Sequence, residues 1–255
     1  MDRRGFVKIT GLSALGVAGA QALPRAEETA SPQAAPEGKR PSRRWAMAVD
    51  VSKCLTEKDC AACTAACHRA HNVPDLSDPK DQVRWIWKEP FREALPEQHH
   101  DYMNESLQHA DVMVMCNHCD NPPCVRVCPT QATWKRDQDG IVMMDWHRCI
   151  GCRYCMAACP YGSRSFNWRD PRPSIAELRP EFPSRSRGVV EKCNFCEERL
   201  AEGKPTACVE ACKAKALVFG DLMDPQSPIR DLLRTRTALR RKSGLGTEPQ
   251  IYYLV

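Results

Sequence analysis

An α+β fold of short strands and helices, rich in loops, is predicted by three observations. All sixteen cysteines of the 255-residue chain fall into four groups of four: Cys54/Cys60/Cys63/Cys67, Cys116/Cys119/Cys124/Cys128, Cys149/Cys152/Cys155/Cys159 and Cys193/Cys196/Cys208/Cys212. The chain is polar, with 27% charged residues, 20 prolines and a mean hydropathy of −0.51. A β-hairpin pattern lies between the second and third groups. At this length one or two domains are expected. Bound metal would replace part of a large aliphatic core, because metal binding and folding are coupled.

The third group reads C-x2-C-x2-C-x3-C-P, the run that wraps a cubane [4Fe–4S] cluster. Three closely spaced thiolates reach three corners of one cube from a single loop. The fourth is carried past the corner and serves a neighbouring cluster. Sixteen thiolates at four per cluster imply four [4Fe–4S] clusters. Zinc also uses C-x2-C pairs, but the triple runs, the Cys128-Pro129 and Cys159-Pro160 ends and the hairpin favour clusters. Cysteines separated by two residues are poor disulfide partners, and no C-x-x-C-H haem attachment motif occurs.

Taken in order, the chain opens with Arg3-Arg4-Gly5-Phe6-Val7-Lys8, an apolar stretch over 9–20 and a small-x-small site, Ala20-Gln21-Ala22. These are the parts of a signal peptide over 1–22, of the twin-arginine (Tat) type used for export to the periplasm. Residues 23–44, rich in Pro, Ala, Glu and Arg, read as a linker. A short strand is expected over 45–51. Residues 71–112 form an insertion, in which Trp85, Trp87 and Phe91 are read as packing onto the body or, less simply, as a docking face. His68, His71, His99, His100 and His109 are read as exposed or packing side chains rather than metal ligands. His118, inside the second group, is read as a polar loop residue or as a hydrogen-bonding neighbour of a cluster.

Residues 132–135 and 141–145 are apolar around Asp137-Gln138-Asp139-Gly140, a hairpin signal with Asp-Gly at the turn. Cysteine run, hairpin, cysteine run is the plan of a compact two-cluster ferredoxin. Only 20 residues separate groups two and three, so these are expected to form module B, over 113–168. Groups one and four would form module A, from 45–70 plus 188–222. Nearest-neighbour pairing would instead need crossovers of 48 and 33 residues. Lys192, beside Cys193, is read as a solvated lysine or as a charge that stabilises a reduced cluster. Residues 216–220 read as a strand. Ser227-Pro228 reads as a helix start, with the helix running to about Lys242 and stopping at Gly244. Arg240, Arg241 and Lys242 would then suit its negative end. The tail over 251–255 is expected to dock as a strand, within a C-terminal helix and tail over 223–255.

The stretch from Cys116 to Trp168, CNHCDNPPCVRVCPTQATWKRDQDGIVMMDWHRCIGCRYCMAACPYGSRSFNW, resembles the four-cluster iron–sulfur subunits associated with dimethyl sulfoxide reductase-type enzymes. KCNFCEERLAEGKPTACVEACKAKALVFGDL is similar to that family's fourth motif, including its C-x11-C gap. The resemblance spans about residues 45–222. It implies two intertwined bacterial-ferredoxin-like modules, four clusters in a line and relay of electrons between a membrane partner and a redox enzyme. The first group departs from the family's C-x2-C-x2-C-x3-C by reading C-x5-C-x2-C-x3-C. This wide gap, HRAHNVPDL, RWIWKEPF and the twin-arginine leader resemble the periplasmic iron–sulfur subunits of the DsrMKJOP membrane complexes of dissimilatory sulfur metabolism. That resemblance implies an NrfD-type quinone-interacting membrane subunit and a multihaem cytochrome c as partners. Subunits serving a molybdenum reductase, a nitrite reductase or a hydrogenase are the alternative, and a zinc-stabilised structural protein is a more distant one.

Nothing marks a catalytic site. There is no nucleophile elbow, phosphate loop or dinucleotide fingerprint, and no cysteine is spare. The formal charge of +5 is not a nucleic-acid signal, since no basic stripe interleaves with aromatics. Four clusters of formal charge about −2 each would turn it to about −3.

Overall fold

The computed structural model describes residues 42–57 and 60–255. The signal peptide expected over 1–22 and most of the linker expected over 23–44 lie outside these residues. Residues 42–44 are not a free connector. The Arg43 amide donates to the Gln138 carbonyl at 3.1 Å. Arg44 is 6% exposed and its guanidinium donates to the carbonyls of Gly140 (2.9 Å) and His118 (3.2 Å). Satisfying buried carbonyls with a charged donor fixes this segment where composition suggested a spacer.

In chain order the elements are β1 (Trp45–Asp50), α1 (Val51–Leu55), α2 (Ala62–Ala70), β2 (Ile86–Pro90), α3 (Phe91–Ala94), α4 (Glu105–Gln108), β3 (Asp111–Met115), α5 (Pro123–Arg126), β4 (Thr133–Lys135), β5 (Val142–Met144), α6 (Tyr154–Ala157), β6 (Ser165–Phe166), β7 (Val190–Glu191), α7 (Glu197–Ala201), α8 (Ala207–Glu210), β8 (Leu217–Asp221), α9 (Pro228–Thr235), β9 (Ala238–Leu239) and β10 (Ile251–Leu254). The fold is α+β. One four-stranded sheet has the order β8-β1-β10-β9, and three two-stranded pairs stand apart from it.

β1 is central because it is apolar on both faces. Met47 and Val49 enter the main core, while Ala46 and Ala48 leave room for Ile229 of α9. β1 pairs antiparallel with β8 and parallel with β10, so the apolar tail docks as a strand, as its pattern predicts. β2 and β3 pair antiparallel from Ile86↔Met115 to Pro90↔Asp111. The insertion therefore closes on itself and delivers Cys116 directly from β3. Trp85, Trp87 and Phe91 are buried, which settles them as packing residues.

β4 and β5 form the predicted hairpin, but its loop is longer than a two-residue Asp-Gly turn. Arg136 and Ile141 close it (amide to carbonyl, 2.9 Å), and Gly140 sits at φ +73° at its far end. A Cβ at Gly140 would fall 1.5 Å from the Arg44 guanidinium, so close approach as well as positive φ demands glycine there.

α9 stops at Thr235, well before the expected end near Lys242. Ser227 makes no side-chain cap; it is packed against Gly220. From Arg236 the chain turns extended because sheet pairing and ion pairing outweigh helix propensity. Arg236 pairs with Asp50, and Ala238 and Leu239 pair with Leu254 and Tyr253. Arg240 and Lys242 bind Glu248 and the Pro160 carbonyl. Arg241 is buried on the Ala94 carbonyl and Glu89. None of the three sits at the C-terminal end of α9.

A buried polar knot ties the insertion to the body. Arg185 and Glu191 are both wholly buried and meet at 2.6 Å. Glu191 also accepts from Trp85 Nε1 (2.7 Å) and Asn167 Nδ2 (2.6 Å). Arg185 donates to the His71 and Asn72 carbonyls just past α2 (2.5 and 2.7 Å) and lies over the rings of Trp85 and Trp146. Removing one partner leaves a buried charge uncompensated, which costs about 3–5 kcal/mol. Arg185→Ala is therefore expected to lower the thermal midpoint of the loaded protein by many degrees. Arg172→Ala, which cuts only the exposed pair with Asp170, should leave it unchanged in the same scan.

Candidate metal centres

The structure gathers the cysteines into four sets that do not coincide with the sequence groups. Cys54, Cys60, Cys63 and Cys212 line one cavity of about 370 Å³. Cys116, Cys119, Cys124 and Cys159 line a second, of about 330 Å³. Cys128, Cys149, Cys152 and Cys155 line a third, of about 280 Å³. Cys67 faces Cys193, Cys196 and Cys208: burial, and then charge on those three, push its thiol well above the ordinary range. Each set takes three cysteines from one group and one from another.

The exchange has a local cause. In every group the third cysteine lies on a short helix: Cys63 on α2, Cys124 on α5, Cys155 on α6 and Cys208 on α8. The fourth follows four residues later, about one turn on. One turn of rise carries that sulfur beyond its own set, so Cys67, Cys128, Cys159 and Cys212 each serve a neighbour. Cys54, the residue of the widened first gap, lines the same cavity as Cys60 and Cys63.

The C-x2-C loops share a second device. The residue before the second cysteine is left-handed in three groups: His118 (φ +40°), Gly151 (+71°) and Phe195 (+59°). That conformation turns successive amides toward one point, as anion-binding nests do. Two of these residues are not glycine and pay for positive φ; their rings stack on each other at 3.7 Å. Gly151 has no such freedom, since a Cβ would lie 2.4 Å from the Gly188 carbonyl. In the first group Ala62 begins α2 instead. Amides also reach sulfur directly: Phe195 to Cys193 (3.4 Å), Ala207 to Cys196 (3.4 Å) and Ala216 to Cys212 (3.2 Å).

The sets adjoin one another in series. After burial, charge on Cys124 is among the influences that raise the Cys155 thiol, charge on Cys116 raises Cys193, and charge on Cys63 raises Cys208. The order is thus the Cys149 set, the Cys116 set, the Cys193 set and the Cys54 set.

Residues 109–173 and 179–222 match the 4Fe-4S dicluster domain family. The chain is 41% identical to the "Hdr-like menaquinol oxidoreductase iron-sulfur subunit 1" of Archaeoglobus fulgidus, over 99% of this chain and 97% of the relative. It is 37% identical to the "Menaquinone reductase, iron-sulfur cluster-binding subunit" of Nitratidesulfovibrio vulgaris, over 83% and 88%. It is 35% identical to a putative dimethyl sulfoxide reductase iron–sulfur subunit of Halobacterium salinarum, over 82% and 78%. The chain belongs to this family of iron–sulfur subunits. Its cofactors are [4Fe–4S] clusters.

The residues present suit such clusters. None of the sixteen cysteines is in a disulfide. Burial, then Cys116 and Cys124, push the Cys119 thiol up to about 12, so this thiol would stay protonated without a metal, whereas coordination removes the proton. Asn117 lines the Cys116 cavity, and its side-chain nitrogen and oxygen are both buried without a partner; a sulfide acceptor in that cavity would satisfy the nitrogen. Around the sites the structure also places Arg164, which the sequence does not single out, as well as His71, His118 and Lys192, which it does. Arg164 donates to Cys124 Sγ at 3.1 Å and Thr133 Oγ1 at 2.8 Å. His71 approaches Cys67 Sγ at 3.7 Å and Glu198 at 2.9 Å; it is a packing and hydrogen-bonding residue. His118 Nδ1 accepts from the Val142 amide at 3.1 Å. Burial, then Lys192, keep its ring neutral. Lys192 is 1% exposed, which overturns the solvated reading.

The cavity linings predict a crossed pattern in single variants. In electron paramagnetic resonance spectra of reduced protein, Cys159→Ser should alter the same signal as Cys119→Ser. Cys212→Ser should alter the same signal as Cys63→Ser. If Cys159→Ser instead shares its signal with Cys152→Ser, the exchange is wrong.

Proposed function

We propose that the protein is a non-catalytic, periplasmic electron-transfer subunit. It carries single electrons along four [4Fe–4S] clusters, one on each cysteine set, between a quinone-interacting membrane subunit and a redox partner. In this reading all sixteen cysteines are ligands, and the sets pair as two intertwined ferredoxin-like modules. The observation that carries the proposal is that four sets of four thiols stand in series and leave no cysteine over. Bound clusters supply one-electron chemistry whose potential follows burial, hydrogen bonds to sulfur and net charge. The chain's own residues supply those conditions. The helices α5, α6 and α8 bury their cysteines Cys124, Cys155 and Cys208, backbone amides donate to sulfur, and the exchanged cysteines tie adjacent sites together.

The finer assignment is DsrO, the iron–sulfur subunit of the sulfite-reduction-associated DsrMKJOP complex. It is supported by the wide first gap, by the HRAHNVPDL and RWIWKEPF words, and by relatives named for menaquinol and menaquinone. Its partners would be a DsrP-like NrfD-type membrane subunit, a DsrJ-like multihaem cytochrome c and, during export, the Tat machinery. No helix among the described residues is long and apolar enough to cross a membrane; with the leader removed on export, contact with the bilayer would run through the membrane subunit. A second reading, service to a molybdenum reductase, is favoured by the dimethyl sulfoxide reductase relative.

Affinity purification of the full-length chain from solubilised membranes, without oxygen, tests both. The expected result is about sixteen iron atoms per chain together with a polytopic membrane protein and c-type haem. A molybdenum enzyme in place of the cytochrome selects the second reading. Stoichiometric zinc with negligible iron overturns the electron-transfer function itself.

A further inference from the structure

Five arginine and lysine side chains are buried among the described residues: Arg44, Arg164, Arg185, Lys192 and Arg241. Three are answered by carboxylates. Arg44 meets Asp120 at 3.1 Å, Arg185 meets Glu191 at 2.6 Å and Arg241 meets Glu89 at 2.9 Å. Arg164 and Lys192 are not. Arg164 is held by Cys124 Sγ, Thr133 Oγ1 and Met144 Sδ. Lys192 is held by the carbonyls of Val142 and Cys193. A buried charge without a countercharge is expensive. The negative groups within reach of both are thiolates. Those acting on Arg164 are Cys124, Cys155 and Cys116; those acting on Lys192 are Cys116, Cys193 and Cys124.

These two lists share Cys116 and Cys124, which belong to one set. Arg164 lines the Cys116 cavity and bonds both Cys124 and Met144, and Met144 lines the Cys149 cavity; Lys192 bonds the carbonyls of Val142, which lines the Cys116 cavity, and of Cys193. The Cys116 set is therefore flanked on both sides by an unpaired buried cation, and each neighbouring set by one. Asn117, whose side-chain nitrogen and oxygen are both buried without a partner, lines the same cavity.

Resting on the electron-transfer reading above, we infer that Arg164 and Lys192 are positioning residues that make the cluster at Cys116, Cys119, Cys124 and Cys159 the most easily reduced of the three centres they touch. One-electron reduction adds one negative charge to a [4Fe–4S] core. Two fixed cations in a medium of low polarity stabilise that added charge more than they stabilise the oxidised state. The electron comes from the cluster on either neighbouring set, which is oxidised by one; no bond or proton moves. This interior centre is then where an electron rests between transfers at the two ends.

Potentiometric titration of the anaerobically loaded full chain with dithionite, followed by electron paramagnetic resonance, tests the inference. Among the signals of these three centres, the first to grow should be the one altered by Cys119→Ser. Arg164→Gln and Lys192→Met should each shift its reduction equilibrium at least tenfold toward the oxidised form, about 59 mV for one electron. Arg164→Lys and Lys192→Arg should keep the potential close to its wild-type value, a dependence on charge that a merely structural role would not produce. The inference is overturned if the first signal belongs to another of the three sets, or if both charge-removing variants keep their iron and their potentials. Should Arg164→Gln fail to fold, the wild-type order and the Lys192 pair decide. Absence of iron from the wild-type chain would sink the electron-transfer reading. Iron with the wrong order sinks this inference alone.

Discussion

One helical turn advances a side chain by about 5.4 Å, and four times in this chain such a turn separates the third and fourth cysteines of a group. Because each of these helices is only one or two turns long, the third sulfur stays with its own loop while the fourth is carried to the next site. The rest of the architecture serves that displacement. β1, β8 and β10 pair in one sheet, and Leu217 of β8 lines the Cys54 cavity. The β4–β5 hairpin brings the second and third groups face to face. The Arg185–Glu191 knot locks the carbonyl end of α2, and with it Cys67, against β7.

Electrostatics follows from the same crowding. Sixteen thiols within one small body would be intolerable as free thiolates, and burial holds those at its centre protonated in the absence of metal. Bound clusters reverse this balance and present net negative charge instead. The formal excess of basic residues in the sequence then has a place to go. Some of it pairs with carboxylates, while Arg164 bonds Cys124 Sγ and Lys192 the carbonyls of Val142 and Cys193. His118 and Phe195, stacked between two sites, hold left-handed turns that aim amides inward without adding charge.

Much of this was legible in the residues. Cysteine spacing announced the chemistry, the apolar stretches around Asp139-Gly140 announced the hairpin, and the apolar tail announced a docking strand. Each signal is local, set by a few neighbours. What could not be read depended on partners far away in sequence. The segment after Thr235 has helix-forming residues, yet Arg236 finds Asp50 and Leu239 finds Tyr253, so it unwinds into a strand. Arg44 sits in a stretch with linker composition but meets Gly140 and His118 across the fold. Arg164 carries no signal of its own in the sequence, and Lys192 only its place beside Cys193. Their burial is decided by which sets lie on either side, a fact of tertiary structure only.

The most direct test of the account is anomalous diffraction at the iron edge from crystals grown without oxygen. The account predicts four compact iron peaks in series. The second would be bounded by Cys116, Cys119, Cys124 and Cys159, and the fourth by Cys54, Cys60, Cys63 and Cys212. Single-atom peaks at the zinc edge, or iron centres bounded by the four cysteines of one sequence group, would contradict it.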